Sequence, residues 1–176
     1  MHGGRKLQFP DARGLRPSAD RVRETLFNWL QNEVAGSRCL DLFAGSGALG
    51  FEAASRGARH VTLVESSPQV AKRLQENVRL LNLQDVVEVN HGKAHSWLEQ
   101  YKGEPFNLVF LDPPFADNLL EQTLRQLLAS RLLSDRVLLY VERDAAQLLP
   151  ELPANCQVIK DKKAGQVAYS LISCGK

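Results

Sequence analysis

The feature that most constrains the fold is a regular alternation of short apolar segments with helical segments along most of the chain. RCLDLF (38–43) and HVTLVE (60–65) are almost continuously apolar, as strands are when a sheet is buried on both faces. ALGFEAASRG (48–57) lies between them and predicts a helix that ends at Gly57. Strands that alternate with helices in this way predict a parallel sheet covered by helices on both faces.

Hydrophobic periodicity, caps and turn residues give the other elements. The predicted order is a helix at 18–34, a strand at 38–43, a helix at 48–57, a strand at 60–65, a helix at 68–82, a strand at 86–90, a helix near 95–101, a strand at 106–111, a helix at 118–131, a strand at 136–142, and strands near 156–161 and 167–174. The turn KDKKAGQ between the last two strands is shorter than the connection of about a dozen residues that a parallel pair needs. The prediction is therefore an α/β fold with a doubly wound, mostly parallel, seven-stranded sheet and a C-terminal antiparallel hairpin.

The first helix is predicted to follow Ser18, whose hydroxyl is a suitable N-cap. Its apolar residues recur at helical spacing and define one face: Val22, Leu26, Trp29 or Leu30, and Val34. Arg21 and Thr25 lie one helical turn apart on the opposite side.

Basic residues are concentrated at the N-terminus. Residues 1–23 carry six basic and two acidic side chains, whereas the remaining residues carry 16 basic and 18 acidic ones. This asymmetry predicts either a polyanion partner or a solvated tail, and charge alone leaves both open. The predicted organisation is a basic arm at 1–17 followed by one domain at 18–176.

The three cysteines, Cys39, Cys156 and Cys174, are scattered and form no CxxC pair. With no secretory leader pattern at the N-terminus, they predict a reduced cytosolic protein with neither a disulfide framework nor a zinc site. The longest apolar runs have five or six residues, too few to cross a membrane. His91 and His95 have a spacing that metal ligands use, but no further ligand is evident, so no metal is predicted.

The segment DLFAGSGALG (41–50) places three glycines after the first strand and at the start of the next helix. Gly45 and Gly47 there permit a tight turn and the close approach of a ligand to the backbone. Glu65 ends the next strand, 20 residues after Gly45, where a carboxylate can accept both hydroxyls of a ribose. The combination predicts a pocket for a cofactor that contains adenosine.

Asp41 helps to decide which cofactor. The glycine spacing also fits the dinucleotide fingerprint, but a carboxylate at this strand end would repel a pyrophosphate. It suits a ligand with an ammonium group and a sulfonium, such as S-adenosylmethionine. The antiparallel final hairpin also resembles class I methyltransferases more than dehydrogenases. The alternative role for Asp41 is to accept N–H groups of the loop, and both roles are compatible.

The segment LVFLDPPF ends the fourth strand with Asp112, Pro113, Pro114 and Phe115. A nucleobase amine is a poor nucleophile because its lone pair is delocalised into the ring. The Asp112 carboxylate and the Pro113 carbonyl would accept its two N–H groups and direct the lone pair towards a methyl group, while the prolines keep the loop rigid. Phe115 would stack on a base that has left its own stack. The alternative is a stiff turn with a capping Asp.

Several motifs resemble the RsmD family of methyltransferases. DLFAGSGALG, the dipeptide VE at 64–65 and DPPF are similar to motifs of amino-directed S-adenosylmethionine methyltransferases, and GGRKLQFPDARGLRPSADRVRETLFNWL (3–30) closely resembles the start of the RsmD family. Members of that family methylate N2 of one guanine in bacterial 16S ribosomal RNA. The resemblance implies a Rossmann-like class I methyltransferase fold and S-adenosyl-L-methionine as the cofactor. It also implies a cytoplasmic enzyme whose partner is 16S ribosomal RNA within the small subunit or an assembly intermediate.

The resemblance also implies roles for individual residues. Those implied to bind the cofactor are Asp41, Phe43, Ala44, Gly45, Ser46, Gly47, Glu65 and Ser66, with Arg21 and Thr25 near its mouth and Lys93 and Ala94 near its adenine. Those implied to hold the guanine amine are Asp112, Pro113, Pro114 and Phe115. The charge excess of residues 1–23, and not the resemblance, makes the following the candidate RNA-binding residues: Arg5, Lys6, Arg13, Arg16 and Arg23. The chain departs from the wider superfamily at Lys93, where an Asp or Asn often reads the adenine amine.

Three other functions fit parts of the sequence. An adenine-N6 DNA methyltransferase would share the Asp-Pro-Pro-aromatic motif, but a small chain with no separate target-recognition domain disfavours DNA sequence specificity. A nicotinamide-dependent oxidoreductase would share the glycine pattern and would bind NADH instead of S-adenosylhomocysteine. A catalytically silent RNA-binding module is disfavoured by the intact Asp112 and glycine loop.

Overall fold

The computed structural model describes residues 17–115 and 118–175. The elements in these residues are α1 (Pro17–Trp29), β1 (Arg38–Asp41), α2 (Ala48–Ser55), β2 (His60–Glu65), α3 (Pro68–Leu80), β3 (Val87–His91), α4 (Ala94–Gln100), β4 (Phe106–Leu111), α5 (Leu119–Ala129), β5 (Leu133–Asp144), β6 (Cys156–Ala164) and β7 (Val167–Gly175). Every helix and strand predicted from the sequence is present, and the differences lie at their ends.

The sheet has the strand order β3-β2-β1-β4-β5-β7-β6. The pairs from β3 to β5 are parallel, whereas β7 pairs antiparallel with both β5 and β6. This arrangement confirms the predicted doubly wound α/β sheet with a C-terminal antiparallel hairpin. The strand order reverses between β1 and β4. This is the topological switch point, at which such sheets bind ligands.

The first helix differs from its prediction at both ends. It begins at Pro17, so Ser18 lies within its first turn and is not its N-cap. Proline is favoured at the first helical position because its missing N–H would have no helical partner there. The helix ends at Trp29 because residues 30–33 form a hydrogen-bonded turn. The predicted apolar face is confirmed, with Val22, Leu26, Leu30 and Val34 buried.

The C-terminal hairpin is longer than predicted. β6 continues to Ala164 and β7 begins at Val167, so most of the predicted basic turn is strand and only Gly165 and Gln166 connect the two. Gly165 has a φ of 61°, which two-residue hairpin turns require and glycine adopts without strain. β6 is an edge strand whose side chains are largely exposed, so its sequence lacks the apolar alternation that marks other strands.

Cys156 and Cys174 are joined by a disulfide across this hairpin, which corrects the prediction that the chain contains none. The two residues are direct partners in the β6–β7 register. A hairpin brings the first residue of one strand opposite the last residue of the next, and the spacing of cysteines along the sequence does not reveal such a pair. Cys39 is a buried free thiol whose burial raises its pKa to about 12.

The core lies on both faces of the sheet. On one face α1, α2 and α3 pack against β-sheet residues that include Phe110, Tyr140 and Tyr169. On the other face α4 and α5 pack against residues that include Leu139 and Ile172. No helix within residues 17–115 and 118–175 has both the length and the apolar character needed to cross a membrane.

Candidate functional site

The carboxyl ends of β1, β2, β4 and β5 meet at a cleft of about 880 Å³. Ligand sites for small molecules and cofactors have volumes in the range of roughly 300–1,000 Å³. The glycine loop after β1, the acid that ends β2 and the Asp-Pro-Pro-Phe segment after β4 all line this cleft. The sequence motifs are far apart along the chain, and the sheet brings them to one site.

The loop after β1 turns through two glycines with positive φ, Gly45 at 55° and Gly47 at 83°. A Cβ atom on Gly45 would have no atom within 4 Å, and Gly45 lines the cleft. This open space lets a ligand approach the backbone closely. Gly47 has the opposite environment, because a Cβ there would lie 2.5 Å from Phe51 Cε2 and 2.7 Å from Leu74 Cδ2. Gly45 thus shapes the cleft wall, whereas Gly47 lets α2 and α3 pack closely.

We expect Gly47→Ala to destabilise the fold, since it adds a steric clash to an unfavourable backbone conformation. The conformation alone should cost about 1–2 kcal/mol, and the clash a further 1–3 kcal/mol or so. Gly36→Ala is a matched control, because Gly36 also has a positive φ (77°) but no atom near the added Cβ. The difference between the two free energies of unfolding, measured in urea, reports the clash. Equal losses for the two variants would show that α2 and α3 adjust to the methyl group.

Glu65 is held in place by the glycine loop and by its own strand end. Its Oε1 accepts the N–H of Gly45 (2.9 Å) and its Oε2 accepts the N–H of Ser67 (2.9 Å). A carboxylate has about four acceptor positions, so each oxygen can accept one more hydrogen bond. The side chain is therefore oriented before a ligand arrives and retains the capacity to accept two hydroxyl groups.

Asp41 lies buried at the floor of the cleft, and its Oδ1 accepts the N–H of Phe43 (3.2 Å). Burial raises its pKa to about 7, and the nearby carboxylates of Glu65 and Glu142 contribute to the rise. The loop bond lowers the pKa by a smaller amount. The alternative role considered for Asp41, binding to the loop, is therefore present. A cationic ligand would also be favourable here, since it would offset the repulsion among three carboxylates.

Asp112 and Glu142 lie side by side because the preceding residues, Leu111 and Val141, are partners in the β4–β5 register. The pKa of Asp112 is raised well above its usual range, first by burial and then by the charge and hydrogen bond of Glu142, with Asp41 contributing least. Two carboxyl groups share a hydrogen bond only when one holds a proton. Pro113 is buried, whereas Pro114 and Phe115 are exposed at the mouth of the cleft.

Most residues predicted to form the site line the cleft. Those are Asp41, Phe43, Ala44, Gly45, Ser46, Glu65, Ser66, Lys93, Asp112, Pro113, Pro114 and Phe115. Gly47 and Ala94 do not line it: Gly47 precedes α2, and Ala94 is the buried first residue of α4. The predicted RNA-binding residues Arg5, Lys6, Arg13 and Arg16 lie outside the described residues.

The structure does not bring Arg21 and Thr25 into the cleft. The residues of α1 that line it are Ala19, Val22 and Arg23. Residues three and four apart share one face of a helix, so the cleft-facing side of α1 runs beside its apolar face and away from Arg21. Arg23, which was predicted to bind RNA, forms an ion pair with Asp20 (3.1 Å) at this position.

Glu142 is the acidic residue of the cleft that the sequence motifs did not identify. Its signal is present in the sequence: RVLLYVE (136–142) ends in an acid directly after a buried apolar run, as HVTLVE does at Glu65. What the sequence lacks is the pairing of β4 with β5, which sets Glu142 beside Asp112.

The two histidines with ligand-like spacing have other partners. His91 Nε2 lies 3.1 Å from the carbonyl oxygen of Ser66, and His95 Nδ1 lies 3.0 Å from Gln126 Oε1. Within the described part of the chain, no group of three or more His, Cys, Asp or Glu side chains is arranged to hold a metal ion.

Comparison with known proteins gives the family. The model of the family described as conserved hypothetical protein 95 matches residues 1–173. The ribosomal RNA small subunit methyltransferase D of Escherichia coli (strain K12) is 50% identical over 168 residues, which cover 96% of this chain and 84% of that protein. This chain belongs to the family of ribosomal RNA small subunit methyltransferase D. The identification confirms the predicted RsmD resemblance.

Solved structures agree with the family assignment. The structure of the Escherichia coli protein yhhF superimposes with a TM-score of 0.88 at 48% identity and covers 98% of this chain and 93% of that one. SMU.776 from a crystal structure complexed with SAH has a TM-score of 0.69 at 16% identity and covers 87% of this chain and 48% of that one. At that identity the likeness shows the fold alone, which is the predicted class I methyltransferase fold.

Proposed function

We propose that the protein transfers a methyl group from S-adenosylmethionine to the exocyclic N2 amine of a specific guanine in bacterial 16S ribosomal RNA. The observation that carries the proposal is the position of Asp112–Phe115. This segment faces the same cleft as the glycine loop and Glu65, so an amine acceptor and a nucleoside cofactor would meet there. Membership of the methyltransferase D family supports ribosomal RNA as the substrate.

The cleft fits S-adenosylmethionine in shape and charge. The open space at Gly45 admits a ligand against the backbone, and Glu65 keeps free acceptor positions for ribose hydroxyls. Asp41 offers a buried carboxylate to the cationic methionine end. Ser66 and Lys93 line the cleft and are the side chains proposed to contact the adenine, whereas Ala94 does not line it.

Bound in this cleft, the cofactor supplies a methyl group on a positively charged sulfur. The protein's contribution is to position the amine and to stabilise charge. Asp112 and the Pro113 carbonyl accept the two amine N–H groups, which localises the nitrogen lone pair. Phe115, 56% exposed at the cleft mouth, supplies a ring on which the extruded guanine stacks.

The rival functions have less support. A DNA methyltransferase would share the amine site, but the family relatives are named for ribosomal RNA. An oxidoreductase would need a pyrophosphate beside Asp41, where three carboxylates already repel one another. A silent RNA-binding module would have no use for the arrangement of Asp112 beside a cofactor cleft.

The proposed function is tested by tritium transfer from S-adenosylmethionine to small ribosomal subunits from a strain that lacks this enzyme. The modified nucleoside is then identified by mass after digestion. Naked 16S RNA and duplex DNA serve as parallel substrates. N2-methylguanosine from RNA is the expected product, whereas N6-methyladenine from DNA, or binding of NADH in place of S-adenosylhomocysteine, would contradict the proposal.

The basic arm is proposed to contact ribosomal RNA, which would place the enzyme in the cytoplasm with the assembling small subunit. Arg5, Lys6, Arg13 and Arg16 carry the charge excess of this segment. Phosphate neutralisation releases counterions, so such contacts make binding depend steeply on salt.

We expect replacement of these four residues by Ala to weaken RNA binding and to flatten its salt dependence by up to about four contacts' worth. Each lost contact with single-stranded RNA lowers the slope of log K against log salt by about 0.7. Filter binding between 50 and 200 mM salt measures both effects. The matched variant replaces Lys160, Lys162 and Lys163, exposed on β6. If the slope of log K against log salt is unchanged in the arm variant but reduced in the β6 variant, the hairpin and not the arm contacts the RNA.

A further inference from the structure

Glu142 is a cleft carboxylate to which neither the sequence motifs nor the proposed function gives a role. It lies beside Asp112 through the β4–β5 register, and both side chains line the cleft. We propose that Glu142 is a positioning residue that acts through Asp112. It shares one proton with Asp112 and thereby sets how strongly Asp112 binds the protons of the target amine.

Tyr140 anchors Glu142 in this position. Its hydroxyl donates to Glu142 Oε1 at 2.5 Å, and the two residues lie on the same face of β5 because they are two apart. The Tyr140 ring is fully buried, with its centroid 6.3 Å from that of Phe110 and 6.4 Å from that of Tyr169. This packing fixes the hydroxyl, and the hydroxyl fixes Glu142 towards Asp112.

The charged group beside the pair increases its affinity for a proton, because Asp41 of β1 adds a third carboxylate. The Tyr140 hydroxyl acts in the other direction, since it donates to Glu142 and stabilises the anion, and Tyr169 of β7 lies beside Tyr140. The pKa of Tyr140 is raised well above its usual value by burial and then by Glu142, so its hydroxyl remains a donor. Arg143 follows Glu142 but lies on the opposite face, where it donates to Ser170 Oγ (3.0 Å). The basic residues that line the cleft are Arg23, Lys93 and His95.

The shared proton matters for the amine chemistry, and this step rests on the proposed function. Once methylated, the amine nitrogen carries two hydrogens and a positive charge. One N–H bond then breaks, its electron pair stays on nitrogen, and the proton joins a carboxylate oxygen of Asp112. The products are a neutral methylated amine and a protonated Asp112, which releases its proton to water. The charge of Glu142 makes Asp112 a stronger base for this step, at the cost of keeping Asp112 protonated to higher pH.

The test is the pH dependence of single-turnover methyl transfer. In the wild type the rate should rise with pH as Asp112 ionises. Glu142→Gln removes the negative charge and supplies an N–H donor, so the rise should move to lower pH by about one pH unit or more and the plateau should fall about tenfold. Tyr140→Phe removes the donor that stabilises the Glu142 anion, so the rise should move to higher pH.

A structural role for Glu142 would not produce shifts in opposite directions in two variants. Glu121→Gln is the matched control, since Glu121 is paired with Arg125 on the surface of α5 (3.1 Å), and its profile should coincide with that of the wild type. The free protein gives a second measurement that requires no substrate: carbon-13 NMR of the carboxyl groups should show that the last proton leaves the Asp112–Glu142 pair at higher pH in Tyr140→Phe, and that Asp112 loses its proton at lower pH in Glu142→Gln.

Coincident carboxyl titrations in the wild type and both variants would overturn the proposal even if methyl transfer is observed. If the carboxyl titrations shift as expected but no RNA or DNA is methylated, the shared proton is established while the assignment of its role to amine methylation is overturned. The two failures are therefore distinguishable.

Discussion

Replacing Asp112 with Ala is expected to lower the rate of methyl transfer by about 10²–10³-fold, as loss of one preorganised electrostatic partner typically does. The affinity for S-adenosylmethionine should stay within a few-fold of the wild type. The reason is that Asp112 acts on the target amine, and its interaction strengthens only as the nitrogen lone pair becomes localised.

The position of Asp112 supports this separation of rate from affinity. It follows β4 beside Glu142, whereas Glu65 is the last residue of β2, on the far side of β1. Removing the Asp112 carboxylate removes a repulsion from two neighbouring acids and also the hydrogen bond to Glu142, so the two effects on stability oppose each other. The free energy of unfolding of the variant, measured in urea, separates a lower rate from a loss of fold.

Single-turnover tritium transfer measures the rate, and calorimetry measures cofactor affinity. Asp112→Asn keeps the side-chain shape and one acceptor oxygen but removes the charge, so its rate should lie between those of the wild type and Asp112→Ala. Asp85→Ala, at an exposed position, should have no effect. If Asp112→Ala retains more than about a tenth of the wild-type rate, against the usual size of such effects, Asp112 does not hold the amine.

Two of the parallel strands, β2 and β4, could be predicted with their ends, whereas β1 is shorter and β5 longer than predicted. His60–Glu65 and Phe106–Leu111 have the bounds expected from the sequence, because a buried strand is an apolar run between polar turns. Glycine, acid and proline motifs directly follow these runs. The parallel sheet then places all of them at one edge, so most of the cleft follows from the order of elements.

Features that depend on pairing or rotation could not be predicted in this way. Glu142 became a cleft residue through the register of β4 with β5, and the Cys156–Cys174 disulfide through the register of a hairpin. Residues three and four apart share one face of a helix, and packing fixes which face of α1 is turned towards the cleft. Arg21 lies on another face and is therefore outside the cleft. Local sequence specifies none of these long-range relations.

Replacing Glu65 with Ala is expected to weaken S-adenosylmethionine binding roughly 10- to 150-fold, the equivalent of about 1.5–3 kcal/mol for hydrogen bonds to a charged group. The maximal rate should change much less, because the ribose contacts are the same before and during methyl transfer. Both carboxylate oxygens already accept backbone N–H groups, so part of any loss would come from a looser glycine loop.

A ligand comparison separates the two causes. Calorimetry is carried out with S-adenosylhomocysteine and with its 2′-deoxy analogue, on the wild type and on Glu65→Ala. If Glu65 accepts ribose hydroxyls, the wild type should bind the deoxy analogue more weakly, and the variant should bind the two ligands with similar affinity. Loop loosening alone would weaken both ligands equally in the variant and preserve their ratio. A preserved ratio, or an unchanged affinity for S-adenosylhomocysteine in the variant, would place the ribose away from the end of β2.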